Sequence, residues 1–194
     1  MALSLQKGQR ISLDKEAGQS LSKVVLGLGW DAVKKKGFLS SLFGGGGEID
    51  LDASCVLFDQ NRKLVDVVWF RQLKSRDGSI VHTGDNRTGS GEGDDEQIIV
   101  DLTAVPDTVA SLMFVVNSFT GQTFEQVENA YVRLINSQNN QEIARFDLSC
   151  QGPHTAQVMC KVYRHGSEWK MQAIGENARG TTFDELLPEM LRNL

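Results

Sequence analysis

The sequence has few cysteines, few prolines and no long hydrophobic run, and each shortage argues against a class of protein. Its three cysteines, Cys55, Cys150 and Cys160, are an odd number within strand-like runs. This favours buried thiols in a reducing cytoplasm over a disulfide framework or a catalytic thiol. No stretch approaches the ~18 apolar residues of a membrane-spanning helix, and the opening MALSLQKGQR lacks the apolar core of a signal peptide. We therefore expect a cytoplasmic protein.

The sequence also lacks an excess of basic residues. Its net charge is −5 and its pI is about 5.2. Binding to a nucleic acid duplex needs a dense array of Lys and Arg that displaces counterions. We therefore expect no nucleic acid partner.

Apolar residues alternate with polar ones over most of the chain, which predicts strands rather than helices. The 194 residues suit one all-β domain spanning 1–194. The strand-like segments are 23–28, 49–58, 64–70, 97–102, 111–117, 130–136, 142–149, 156–164 and 169–175. Their number and spacing predict an antiparallel β-sandwich.

Helical signals are few and short. Thr123–Gln126 and Thr182–Glu185 each resemble a capping box, the second opening a C-terminal helix toward Leu194. Pro188 would disturb that helix, so two short turns are an equal alternative. The segment 33–47, VKKKGFLSSLFGGGG, is interpreted as a flexible insertion. A docking loop for a membrane surface or a partner is the alternative.

The most informative stretch is rich in both acid and glycine. Between residues 85 and 96 it has five acids and one base, Arg87. Like charges this close repel one another, and no neighbouring lysine relieves them, so a cation is expected. Calcium fits best because it accepts about six to eight oxygen ligands in a forgiving geometry. The only nearby histidine is His82 and no cysteine is present, which disfavours zinc.

A second group of acids precedes this stretch. Asp50 and Asp52 lie two residues apart on a predicted strand, so they share a face at a separation of roughly 6.5–7 Å. Two such carboxylates could bridge a pair of adjacent cations. Asp31 follows a predicted strand end and could supply another oxygen.

Familiar motifs do not explain the acidic stretch. As an EF-hand loop it would carry Ser90 where glycine is required, and no helices flank it. A serine or cysteine nucleophile with a suitable setting does not accompany His82, so a structural role is favoured for this histidine. A metal-dependent hydrolase and a calcium-dependent C2-like or lectin-like domain stay open as alternatives. Trp30, Trp69 and Trp169 are interpreted as core or interface aromatics.

The residues resemble the TerD-domain family, which is associated with tellurite resistance and the stress response in bacteria. The matching motifs are Gly27-Leu-Gly-Trp-Asp31, Asp50-Leu-Asp-Ala-Ser54, Asp77 to Gly89 (DGSIVHTGDNRTG), Gly91 to Glu96 (GEGDDE), Thr123 to Val127, Tyr131 to Asn136 and Glu142 to Leu148. They follow in order along nearly the whole chain.

The resemblance implies a non-enzymatic β-sandwich that binds two Ca²⁺ ions in its acidic loops. The implied metal ligands are Asp50, Asp52, Asp85, Asn86, Asp94, Asp95 and Glu96, with Asp31, Gly84 and Gly91 as further contributors. It also implies other Ter-type stress proteins as partners, in complexes that can be peripheral to the inner membrane face. No small-molecule substrate is expected.

Overall fold

A computed structural model describes residues 2–32, 50–84, 93–148 and 152–194. These residues form twelve strands and two short helices, which confirms the all-β class. The strands are β1 (Leu3–Ser4), β2 (Arg10–Ser12), β3 (Lys23–Ala32), β4 (Leu51–Phe58), β5 (Leu64–Val68), β6 (Ile80–His82), β7 (Glu96–Asp101), β8 (Ser111–Ser118), β9 (Val127–Asn136), β10 (Gln141–Asp147), β11 (Ala156–His165) and β12 (Glu168–Ala178). The helices are α1 (Leu13–Ala17) and α2 (Leu187–Arg192), and a 3-10 turn covers Phe124–Gln126.

The strands form two six-stranded sheets. Sheet A has the order β1-β10-β9-β3-β7-β6, and sheet B has the order β2-β12-β11-β8-β4-β5. Neighbouring strands are antiparallel, except that β1 pairs with β10 in parallel. The two inner faces enclose one large core, as in other β-sandwiches.

Strand β4 shows how the sequence sets this arrangement, because all eight of its residues are buried. Leu51, Ala53 and Cys55 face the core between the sheets. Val56 and Phe58 point the other way, into a second apolar cluster on the outer face of sheet B. Because side chains alternate along a strand, Asp52 also lies on that outer face.

Helix α2 covers the second cluster. Leu186 and Met190 are fully buried there against sheet B. The C-terminal helix is therefore confirmed, but it begins at Leu187 rather than at the capping box of Thr182. Glu185 instead accepts a hydrogen bond from Thr181 N–H at 2.7 Å. Pro188 falls in the first helical turn, where its missing N–H costs nothing.

The first capping box also forms a turn without its side-chain cap. Thr123 precedes the 3-10 turn Phe124–Gln126, but its hydroxyl does not cap the turn. Phe124 is fully buried, so core packing explains why the chain turns here.

The shortest elements were not predicted, namely β1, β2, β6 and α1. The proposed insertion at 33–47 lies outside the described residues. Within the described segments, no helix has the length and apolarity needed to cross a bilayer.

Two of the three cysteines fall in the described residues, and both are buried free thiols. Burial raises the pKa of Cys160, and burial together with the charges of Cys160 and Asp66 raises the pKa of Cys55. The interpretation of these two as inert core thiols fits this environment.

Candidate functional site

The acids of the second predicted loop meet the end of strand β3. Leu28 pairs with Glu96 in the ladder between β3 and β7, and Asp95 N–H donates to Leu28 O at 2.8 Å. This pairing brings Asp94, Asp95 and Glu96 beside Trp30 and the end of β3. The three consecutive carboxylates then have three different environments.

Asp94 lies on the outer face of sheet A, where its side chain is fully shielded from solvent. Its Oδ1 accepts hydrogen bonds from Arg133 Nε at 2.7 Å and from the Tyr131 hydroxyl at 3.2 Å. Its Oδ2 accepts from Gln97 Nε2 at 3.0 Å. A cation from the distant strand β9 therefore neutralises this acid, which sequence neighbours could not do.

Two glycines of β3 make room for these contacts. A Cβ at Gly27 would overlap the Asp94 carboxylate, and a Cβ at Gly29 would overlap the Tyr131 ring. Arg133 lies opposite Gly27 in the ladder, and Tyr131 lies opposite Gly29. The spacing of two in the Gly-Leu-Gly motif thus places both gaps on one face of the sheet.

Asp95 is a partly buried acid close to two other carboxylates. Burial raises its pKa, the charges of Asp31 and Asp94 raise it further, and a hydrogen bond from Trp30 N–H to its Oδ2 at 2.9 Å opposes them. Asp31 is exposed at the end of β3, where its Oδ2 accepts a hydrogen bond from Asn129 Nδ2 at 2.8 Å. The charges of Asp31 and Asp94 therefore both disfavour the ionised form of Asp95.

Glu96 points into the sandwich and joins the two sheets. It is 1% exposed, and its Oε2 accepts a hydrogen bond from Ala53 N–H of β4 at 2.7 Å. Ala53 precedes the part of β4 that pairs with β5, which begins at Cys55. The carboxylate therefore satisfies an N–H that lies outside the β4–β5 ladder.

The buried ring of His82 lies against the same carboxylate. Its Nδ1 accepts a hydrogen bond from Gly84 N–H at 3.1 Å, which places the proton of the neutral ring on Nε2. That Nε2 lies 3.3 Å from Glu96 Oε2. His82 thus holds the turn at Gly84, whose φ is +132°, through its Nδ1.

The first group of acids lies at the start of β4, next to the contact of Glu96. Asp50 is half-buried and precedes the strand, and Asp52 is 4% exposed opposite Asn117 of β8. The backbone of Ala53, adjacent to Asp52, holds Glu96. The backbone beside the first group of acids therefore contacts Glu96 of the second group.

Three of the predicted ligands, Asp85, Asn86 and Gly91, lie outside the described residues. In the described part of the chain, no three His, Cys, Asp or Glu side chains form a group that could hold a metal ion. The metal site therefore stays a prediction, and the structure locates seven of its ten residues.

Sequence reasoning missed the basic and aromatic side of this region. Arg133, Tyr131 and Gln97 donate hydrogen bonds to Asp94, but the sequence analysis gave none of them an individual role. The available signal was the alternation of Tyr131 and Arg133 opposite a Gly-Leu-Gly strand. Using it requires the register of β3 against β9, which a single sequence does not contain.

Comparison with known proteins agrees with the motifs. A model of the TerD domain matches residues 1–189. The chain is 50% identical over 184 residues to the tellurium resistance protein TerZ of Serratia marcescens, covering 95% of this chain and 94% of the relative. It is 45% identical over 198 residues to the stress response protein SCP2 of Bacillus subtilis (strain 168), covering 96% and 98%.

A solved structure confirms the fold. The crystal structure of a homologue of the telluride resistance protein (TerD) from Streptomyces coelicolor A3(2) matches with a TM-score of 0.70. The match covers 89% of this chain and 98% of that chain at 21% sequence identity. At this identity the likeness concerns the sandwich alone.

Proposed function

Because the chain belongs to the TerD domain family, we propose that it is a calcium-binding, non-enzymatic module of a bacterial tellurite-resistance or stress-response system. The observation that carries the proposal is the environment of Asp95. This carboxylate is partly buried beside Asp31 and Asp94. Its burial and the charges of Asp31 and Asp94 all raise its pKa. A divalent cation at this point would remove the repulsion among the three acids.

The chemistry of the donor atoms suits calcium. The acids at the end of β3 and the start of β7 offer carboxylate oxygens, which are the hard ligands that Ca²⁺ prefers. His82 Nδ1 accepts a hydrogen bond from Gly84 N–H, so this nitrogen is not available as a ligand for softer metals. Bound calcium would supply the positive charge that fixes the acidic segments against one another.

The proposed ligands keep the set that the sequence predicts, with two ions. They are Asp31, Asp50, Asp52, Asp85, Asn86, Asp94, Asp95 and Glu96, with backbone oxygens at Gly84 and Gly91. Among them Asp94 already has Arg133 as its counter-ion. We therefore expect Asp94 to contribute less to calcium affinity than Asp95.

Several observations support a non-enzymatic role. The thiols of Cys55 and Cys160 are buried with raised pKa values, which makes them poor nucleophiles and poor reductants. The ring of His154 is buried and stacks on Phe124 at 4.6 Å. In the described segments, no histidine ring hydrogen-bonds a Ser, Thr or Cys side chain.

We further propose that the calcium-ordered surface binds other Ter-type stress proteins, in cytoplasmic complexes that can be peripheral to the membrane. Serratia marcescens has both a tellurium resistance protein TerZ and a tellurium resistance protein TerD that resemble this chain. Several related sandwiches in one organism suit a system of partner proteins.

Calorimetry with Ca²⁺ and Mg²⁺ tests the metal proposal. We expect saturable Ca²⁺ binding, a melting temperature that rises with ligand excess, and at least about tenfold weaker binding for Asp95→Asn. Asp184→Asn is the matched control, because Asp184 is exposed and far along the chain beside α2. Identical melting curves in chelator and in millimolar Ca²⁺, with no heat of binding, would overturn the proposal.

A further inference from the structure

We propose that the outer face of sheet B carries a second binding site, a cationic pocket for a small ligand that bears a phosphoryl or similar oxyanion group. The pocket lies where β2, α1, β11 and β12 meet, and its volume is about 320 Å³. This volume is at the lower end of the range for small-molecule sites. None of the residues that line the pocket is among the proposed calcium ligands, so the two sites are separate.

The lining of the pocket is positive although the chain as a whole is acidic. Arg10, Lys15 and Lys170 line it, together with one acid, Glu16. Lys15 lies 3.9 Å from Glu168 in an exposed pair. Within the described residues, Arg10 and Lys170 form no salt bridge, so two cations face the pocket without a carboxylate counter-ion.

Strand register explains why the cations converge. Arg10 of β2 lies opposite Gln172 of β12, and Ser12 lies opposite Lys170. In the next ladder Lys170 lies opposite Tyr163 of β11. Two cations, Arg10 and Lys170, and two hydroxyl groups, those of Ser12 and Tyr163, therefore lie on one face of three adjacent strands.

A further cation borders this face. Burial lowers the pKa of Lys161, and the charges of Arg10 and Arg62 lower it further. Its Nζ donates a hydrogen bond to the backbone oxygen of Asn193 at 2.6 Å. Like charges thus accumulate on the outer face of sheet B, and an anion would relieve their repulsion.

A buried hydroxyl points to a ligand independently of charge. The Oγ of Ser12 is inaccessible to solvent, and among the described residues it has no hydrogen-bond partner. Buried polar groups nearly always have a partner, so an atom of this kind at the edge of a pocket suggests a missing acceptor or donor. Oxyanions suit it, because they accept hydrogen bonds from hydroxyl, ammonium and guanidinium groups together.

The pocket has more room than a bare oxyanion needs. Tyr163 and His165 line it beside the cations and offer ring surfaces. A phosphoryl group carried on a small organic body would use both the charged and the ring-lined parts. The ligand class is therefore a phosphorylated small molecule, with a free inorganic oxyanion as the other source of the same chemistry.

Calorimetric titration with inorganic pyrophosphate and with ADP, each in EDTA, tests the site. EDTA separates this binding from the calcium proposal, so either can fail alone. We expect saturable binding of at least one probe, with at least about tenfold loss in Lys170→Gln and in Arg10→Gln. Lys63→Gln is the control, an exposed lysine at the opposite edge of the same sheet, and should bind as the wild type does.

A further variant guards against loss of folding. Ser12→Ala should weaken binding while the melting temperature without probe stays at the wild-type value. Tighter binding of ADP than of pyrophosphate identifies the organic body as part of the ligand, and equal binding identifies the free oxyanion. The proposal is wrong if neither probe binds, or if Lys63→Gln weakens binding as much as Lys170→Gln does.

Discussion

The Nε of Arg133 lies 2.7 Å from Oδ1 of Asp94, a carboxylate with no exposed surface. The same guanidinium reaches Glu142 at 3.1 Å. The hydrogen bond to Asp94 raises the pKa of Arg133, which stays charged at every physiological pH. Strand β9 thus supplies the cation for Asp94, the first of the three consecutive acids Asp94, Asp95 and Glu96.

Replacing Arg133 with glutamine should leave Asp94 as a buried charge without its counter-ion. We expect a loss of about 2–3 kcal/mol in the free energy of unfolding, below the range for a fully buried pair because the guanidinium is partly exposed. Urea denaturation measures it. Arg192→Gln is the control, since Arg192 pairs with Glu189 on an exposed helix face and should cost about 0.5 kcal/mol or less. Equal losses in the two variants would contradict the assignment.

Gly27→Ala should destabilise the fold because the added methyl group meets Asp94, and not because alanine disfavours the backbone conformation at this position. Gly27 is not among the glycines with positive φ, but an added Cβ would overlap the Asp94 carboxylate. We expect a destabilisation of about 1–3 kcal/mol.

A double-mutant cycle checks the cause. In an Asp94→Ala background the cost of Gly27→Ala should fall by at least about 1 kcal/mol, because the overlapping atoms are gone. If the cost is the same in both backgrounds, the contact does not explain the glycine.

The acids of this region could be predicted from the sequence, but the side chains that contact them could not. The acids were found because a high density of acidic residues and glycines can be recognised directly in the amino-acid sequence. The partners Arg133 and Tyr131 were not, because they approach Asp94 only through the ladder between β3 and β9. The contact of Glu96 with Ala53 N–H likewise depends on how two sheets stack.

The fold was more predictable than the site. Long strands such as β9 and β12 alternate between buried and more exposed positions over part of their length, so their pattern is visible in the sequence. Strands β1, β2 and β6 have only two or three residues, too few for a pattern. The box at Thr182 predicted a helix but not its start, because the burial of Leu186 and Met190 decides where the chain packs.

Asp66 should make stability depend on acid pH. Burial tends to raise the pKa of this carboxyl, but hydrogen bonds from Arg76 N–H, Gln72 Nε2 and Val67 N–H, with the Arg76 charge, lower it overall. In the window between the lowered native pKa and the ordinary value, the unfolded chain binds more protons. Stability from this group is therefore present above the ordinary pKa and is lost as pH falls through the native one.

Asp66→Asn tests this dependence. We expect a loss of about 1–3 kcal/mol at neutral pH, because hydrogen bonds to a charged acceptor are weakened. The loss should shrink on acidification, so the curves of wild type and variant converge as pH falls through the lowered native pKa of Asp66. Urea denaturation at several pH values measures both. If the difference in unfolding free energy between wild type and variant does not change with pH, the charge of the Asp66 carboxylate is not the source of the stabilisation.

Substitutions at two leucines near the C-terminus distinguish the contribution of buried packing under helix α2 from the contribution of the helix itself. Leu186 is fully buried under the helix, whereas Leu191 within the helix is 38% exposed. Leu186→Ala should cost about 2–4 kcal/mol, because it removes buried methyl groups and leaves a cavity against sheet B. Leu191→Ala should cost less than about 1 kcal/mol, since alanine keeps helix propensity and little buried area is lost. Thermal and urea unfolding compare them. Similar small losses would mean that the C-terminal segment does not seal the outer face of sheet B, and that the second apolar cluster is held together by the strands alone.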